Sequence, residues 1–189
     1  MSDENLKIIL PKQLYRKIEK DICKLYKEFN IEKIPIDVFD IAEKIGYEVI
    51  PVHKDDPIYG ILVEKECDGL TIESRDRKVI YYKADQTKGR QRFTIAHEIA
   101  HIRMGHYEES DLANRIANHY ASYLLAPEIL IFLTKCNDYI ELAEVFNVTL
   151  DCAWILFASY NRWKNLSNYR VYEIRIAAQF GFNITNTPF

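Results

Sequence analysis

The chain is short of several features that would narrow its class. Its four cysteines, Cys23, Cys67, Cys136 and Cys152, are scattered, with no CxxC pair and no finger-like spacing. That argues against a disulfide framework and for free thiols in a reducing compartment. No apolar run approaches the roughly 20 residues of a bilayer-spanning helix. The opening Met1-Ser2-Asp3-Glu4-Asn5 is acidic and polar, unlike the basic-then-apolar start of a signal peptide. A cytoplasmic, non-membrane protein is therefore expected. There is no internal repeat, no low-complexity tract and no Gly/Ser-rich linker. Nor does one sign of charge dominate: 25 Lys and Arg against 28 Asp and Glu give a net charge of −3. Nothing global then favours nucleic acid as the main partner. Lys83, Lys88, Arg90 and Arg92 do cluster, and they read as a solvated loop face.

What is present suits one compact domain. Of 189 residues, 48 % are hydrophobic and 28 % charged, and 13 tyrosines and 9 phenylalanines make the interior aromatic. Leu14, Ile18, Ile22, Leu25 and Phe29 recur at helical spacing between Pro11 and Asn30. A shorter helix follows over Pro35–Lys44, stopped by Gly46. Extended runs are expected at Tyr47–Val52, Ile58–Val63, Leu70–Glu73 and Val79–Tyr82, making a small, mainly antiparallel sheet. Beyond Thr87 the pattern is helical: Gly89–Met104, Ser110–Leu125, a shorter helix from Pro127, then Asp138–Phe146 and Leu150–Trp163 around an Asn147-Val148-Thr149 turn. Helices flanking one modest sheet make an α+β domain.

The chemistry concentrates in Arg92-Phe93-Thr94-Ile95-Ala96-His97-Glu98-Ile99-Ala100-His101, which contains HExxH. Histidines at i and i+4 share one helix face, so both imidazoles can reach one metal ion, and the intervening glutamate can take a proton from water. Zinc suits two neutral imidazoles with an oxygen ligand and an open position. The rest of the segment is apolar around most of its circumference, and Thr94, His97, Glu98, His101 and Gly105 form a single polar stripe. Such a helix is expected to be buried, and its polar stripe must then face a cleft or a ligand.

On the following helix Asp111, Asn114 and Asn118, at i, i+3 and i+7, form a second polar stripe. Ala113, Ile116, Ala117, Tyr120 and Leu124 occupy the opposite, core-facing side. Together the two helices resemble the ImmA/IrrE family of metallopeptidase-like proteins, which occur in mobile elements such as prophages and in stress-response systems. Arg90 to His101 resembles that family's signature helix. Ala117, Asn118, Tyr120, Ala121, Leu124, Leu125 and Pro127 fit the frame of its second helix. Ile34-Pro35-Ile36-Asp37, Gly46–Ile50 and Leu142–Thr149 resemble flanking segments, so the likeness covers about residues 30–160.

The resemblance implies a zincin-like (gluzincin-type) fold and a peptidase using Zn2+. His97 and His101 would hold the metal, Glu98 would be catalytic, and Asn118 would orient a ligand histidine. It departs at Asn114, where the family pattern places the glutamate that is the third ligand. Three arrangements stay open: weak or water-mediated coordination through the Asn114 carbonyl, a carboxylate from Asp111 instead, or a site that holds metal poorly. His106 and His119 are further candidates for the cleft.

The division expected is an N-terminal helix over 1–30, a metallopeptidase-like core over 31–135 and a C-terminal helical section over 136–189. The implied role is gene regulation by cleaving or inactivating a helix-turn-helix repressor. The alternative is a non-cleaving anti-repressor with a degenerate metal site. Direct DNA binding by the helix pair at Asp138–Trp163 is not expected, because Thr149 to Trp154 offers no Arg, Asn or Gln to read bases and Asp151 repels phosphate. Trp154 and Trp163 read as packing residues.

Overall fold

A computed structural model describes residues 10–106, 110–165 and 169–184, so Met1 to Asn5 and the final residues 185–189 lie outside it. Its elements, in chain order, are helices α1 (Lys12–Phe29) and α2 (Val38–Lys44), strand β1 (Glu48–Val52), helix α3 (Pro57–Glu64) and strands β2 (Gly69–Glu73) and β3 (Lys78–Lys83). Six helices follow: α4 (Lys88–Met104), α5 (Asp111–Leu125), α6 (Glu128–Thr134), α7 (Tyr139–Phe146), α8 (Leu150–Trp163) and α9 (Val171–Gln179). The α+β, zincin-like architecture expected from the sequence is the one observed.

Two expectations need correction. The run Ile58–Val63 is β-branched and aromatic enough to read as a strand, yet it lies in α3. The stronger signal is local: the Asp56 side chain accepts from the Ile58 N–H at 2.8 Å and Pro57 occupies the first turn, a favoured helix start. Only Leu62 of α3 is buried, so no sheet face competes for the segment. The sheet, in turn, has three strands in the order β1-β3-β2 and is mixed: β1 pairs with β3 in parallel, and β2 with β3 antiparallel. Parallel neighbours need a crossover, which α3 and β2 supply.

Helix α4 is central. The Thr87 hydroxyl accepts from the Arg90 N–H at 3.4 Å, and Gly105 ends the helix with φ of 70°, a conformation that favours glycine. Ile95, Ala96, Ile99 and Ala100 are fully buried, against α5, α2 and the sheet. Arg92 is not part of a solvated face: it is buried and donates to the carbonyls of Ile36 at 2.7 Å and Asn147 at 3.0 Å, tying α4 to the end of α7. Arg90 and Lys83 both pair with Asp68.

Helix α5 starts at Ser110, whose hydroxyl accepts from the Ala113 N–H at 3.1 Å. It buries Ala113, Ile116, Ala117, Tyr120 and Leu124 as its pattern foretold. The apolar stretch Asp111–Thr134 has the length and composition of a membrane-crossing segment, but 67 % of its most apolar 18-residue window is buried inside the fold and the stretch is broken at Ala126-Pro127. One apolar core runs from Leu10 to Ala177 and draws on every section of the chain. Trp163 belongs to it, whereas Trp154 is 56 % exposed. Helix α9 docks on α1 and α8: Arg170 at its start and Tyr172 both bond the buried Glu19 of α1, and the Trp163 indole donates to Glu173 at 2.7 Å.

Candidate active site

Histidine spacing and helix geometry bring His97 and His101 together. Their Nε2 atoms lie 3.0 Å apart, and each ring is tied on its other nitrogen: His97 Nδ1 to Asn118 Oδ1 at 2.9 Å, and His101 Nδ1 to His106 Nδ1 at 3.2 Å. The Asn118 carbonyl oxygen can only accept, so His97 carries its proton on Nδ1 and turns a bare lone pair inward. His106 reaches its position because Gly105 reverses the chain, with the His106 N–H donating to the His101 carbonyl at 3.0 Å. Burial, then the neighbouring His101, pushes the His97 pKa down to about 4, so the ring is neutral at neutral pH. Burial also lowers His106, with Lys17 contributing.

Glu98 sits beside this pair, 9 % exposed. Its Oε2 accepts from the Thr71 hydroxyl at 2.7 Å, which couples the carboxylate to strand β2. That approach requires Gly69: a Cβ there would lie 2.5 Å from Thr94 Cγ2 and 3.4 Å from Glu98 Cγ. The strand and the two helices enclose a cleft of about 600 Å³, lined by Gly69 to Thr71, Thr94, His97, Glu98, His101, His106, Asn114 and Asn118 among others. Strand β2 is an edge of the sheet, and its Gly69, Leu70 and Thr71 border this cleft; an edge strand can pair with an extended chain.

The structure brings most of the sequence-derived residues into one place. His97, Glu98, His101, His106, Asn114 and Asn118 all line the cleft, and the Asn114 amide is near enough to His97 to favour its charged form slightly. Asp111 is different: it is exposed in the first turn of α5 and does not line the cleft. His119 also lies elsewhere. It follows Asn118 by one residue, a rotation of about 100° around the helix, and instead packs edge-on against the Tyr15 ring at 4.5 Å. Thr71 and Gly69 were not foreseen. A threonine and a glycine in a five-residue strand carry no motif, and only the fold reveals that they meet Glu98.

A chain with HExxH on a buried helix, its glutamate held beside two converging histidines and a strand edge along the cleft, has the architecture of a zincin-type metallopeptidase. Residues 59–153 match the model of the IrrE N-terminal-like domain, peptidase family M78. The chain belongs to that family. No curated protein matches it.

The family is of zinc-peptidase type, and the side chains can be tested against such an ion. Two imidazole Nε2 atoms facing each other at 3.0 Å, each ring anchored from behind, fit two ligands of a divalent cation once both are deprotonated. Among the described residues no group of three His, Cys, Asp or Glu side chains gathers around one point. Asn114 lines the same cleft, on the next helix.

Proposed function

We propose that the chain is a zinc-dependent peptidase acting on another protein, for which the family resemblance suggests a helix-turn-helix repressor. The observation that carries this reading is the convergence of His97 and His101 beside a glutamate held by Thr71. His97 and His101 would hold the ion, with the Asn114 carbonyl as a weaker third protein donor. Bound zinc polarises a carbonyl and makes water a better nucleophile near neutral pH. Glu98 takes a proton from the attacking water and returns it to the departing amine, and Thr71 fixes which carboxylate oxygen stays turned to the strand. A substrate segment lies extended along β2, adding a strand to the sheet edge. No nucleic acid takes part in this account.

The amide at position 114 supports a second reading: an anti-repressor that binds its partner without cutting it. Carboxylate is a better ligand for zinc than a neutral amide. The two readings separate when zinc-supplemented wild type, Glu98→Gln and Asn114→Glu are incubated with candidate helix-turn-helix repressors and fragments are sought by mass spectrometry. The peptidase reading expects wild type to cut, and Glu98→Gln to be slower by about 10²–10⁴-fold, the scale of a lost general base. Cutting by Asn114→Glu alone would establish the binding role.

A further inference from the structure

Helix α5 carries polar groups on a second side, facing away from the histidine pair. There a cavity of about 520 Å³ lies between α5, α8 and the start of α4, and it shares Arg90, Phe93 and Asn118 with the catalytic cleft. The two hollows therefore adjoin along α5. The residues lining the second one are not satisfied as those of the first are. The Tyr123 hydroxyl and His119 Nε2 are buried with no hydrogen-bond partner, although Tyr123 is only 3 % exposed. Buried polar atoms normally find partners, so orphans beside a cavity point to something that occupies it.

The charge inventory indicates what that is. Glu128 lines the cavity and accepts from the Ser159 hydroxyl at 2.8 Å. No salt bridge reaches it among the described residues. Burial raises its pKa, and the nearby Glu19 and Glu173 act in the same direction. Of the guanidiniums near that acidic group, Arg170 is bonded to Glu19, and Arg16 and Arg162 are exposed. At the rim, Arg90 is committed to Asp68 at 2.6 Å. A half-buried carboxyl group with no ion pair among the described residues, beside a buried hydroxyl with no partner, is matched by a positive group bearing several N–H donors. The walls also include Phe93, Ile155 and Leu156, which suit the aliphatic stem of a long basic side chain.

We propose that this cavity is the pocket for an arginine or lysine side chain of a peptide lying in the adjoining cleft, with the cationic head meeting Glu128 and Tyr123. Its place in peptide recognition rests on the peptidase reading above; its preference for a cation does not.

The test uses the full chain stripped of zinc by chelator, titrated with N-acetyl-arginine amide and with its neutral isostere N-acetyl-citrulline amide, and followed by NMR. The arginine probe is expected to shift the Tyr123 and Ser159 signals and to bind at least about tenfold more tightly than citrulline, the scale of one charge-assisted contact. Glu128→Gln removes that preference, Tyr123→Phe weakens both probes, and Glu98→Gln changes neither. Equal affinity for the two probes overturns the proposal. So does the absence of any shift at about 10 mM, which would mean that the cavity holds solvent only. Because no zinc and no cleavage enter the readout, loss of peptidase activity and failure of this pocket are separate results.

Discussion

His97 and His119 lie on successive helices, are both neutral, and both have a pKa pushed down to about 4 mainly by burial. Their surroundings differ. His97 is held through Nδ1 by Asn118 and meets His101 through Nε2. His119 has an aromatic edge contact with Tyr15, and its Nε2 has no partner. Depressed basicity alone therefore does not separate the two rings; the partner behind the ring and the second nitrogen in front of it do. The comparison also shows two uses of one helix: α5 presents Asn118 to the histidine pair, and one residue later presents His119 to a separate cavity.

The comparison breaks most visibly at the groups behind the ligands. Removing the partner of a metal-binding histidine typically costs 10–100-fold in affinity. Asn118→Ala is expected to raise the zinc dissociation constant by about that range, measured by competition with a fluorescent chelator. His106→Phe is expected to act in the same direction but less, about tenfold or under, because it supports one ring from a turn. His119→Gln should leave zinc affinity unchanged. An equal loss in all three variants would mean that the effects are general destabilisation rather than ligand orientation.

The smaller effect concerns pH. His119 has a folded-state pKa near 4, below the ordinary histidine value of 6.5, so the unfolded chain binds protons that the folded chain refuses. Its contribution is fully present above about pH 6.5 and is lost as the pH falls from there towards 4. In metal-free protein, His119→Gln is expected to flatten the fall in melting temperature between pH 7 and pH 4.5 by the equivalent of about 1–2 kcal/mol. A parallel curve for the variant would show that His119 is already protonated in the folded state.

Much of this was readable from the chain because the strongest signals are local. The HExxH spacing, the Thr87 cap, Gly105 and the apolar flanks of His97 together define α4 without reference to anything distant. The same holds for α8, whose observed span of Leu150–Trp163 matches its pattern. What escaped depends on contacts between segments far apart. Thr71 reaches Glu98 across 27 residues, and the Gly69 approach exists only once β2 is laid against α4. Arg92 looked like one member of a basic surface cluster because its acceptors, the carbonyls of Ile36 and Asn147, lie more than 50 residues away. The α3 segment differs for another reason: Ile58, Ile61 and Val63 favour a strand, whereas the Asp56-Pro57 start favours the helix that forms.

On the proposed function, His97 and His101, each ring held from behind, bind a divalent cation despite an amide at position 114. That binding is tested most directly by the zinc content of full-length protein dialysed against buffered micromolar zinc. About one zinc per chain is expected, and none in the His97→Ala, His101→Ala double variant. A metal-free wild type under those conditions, or equal zinc in the double variant, would contradict it.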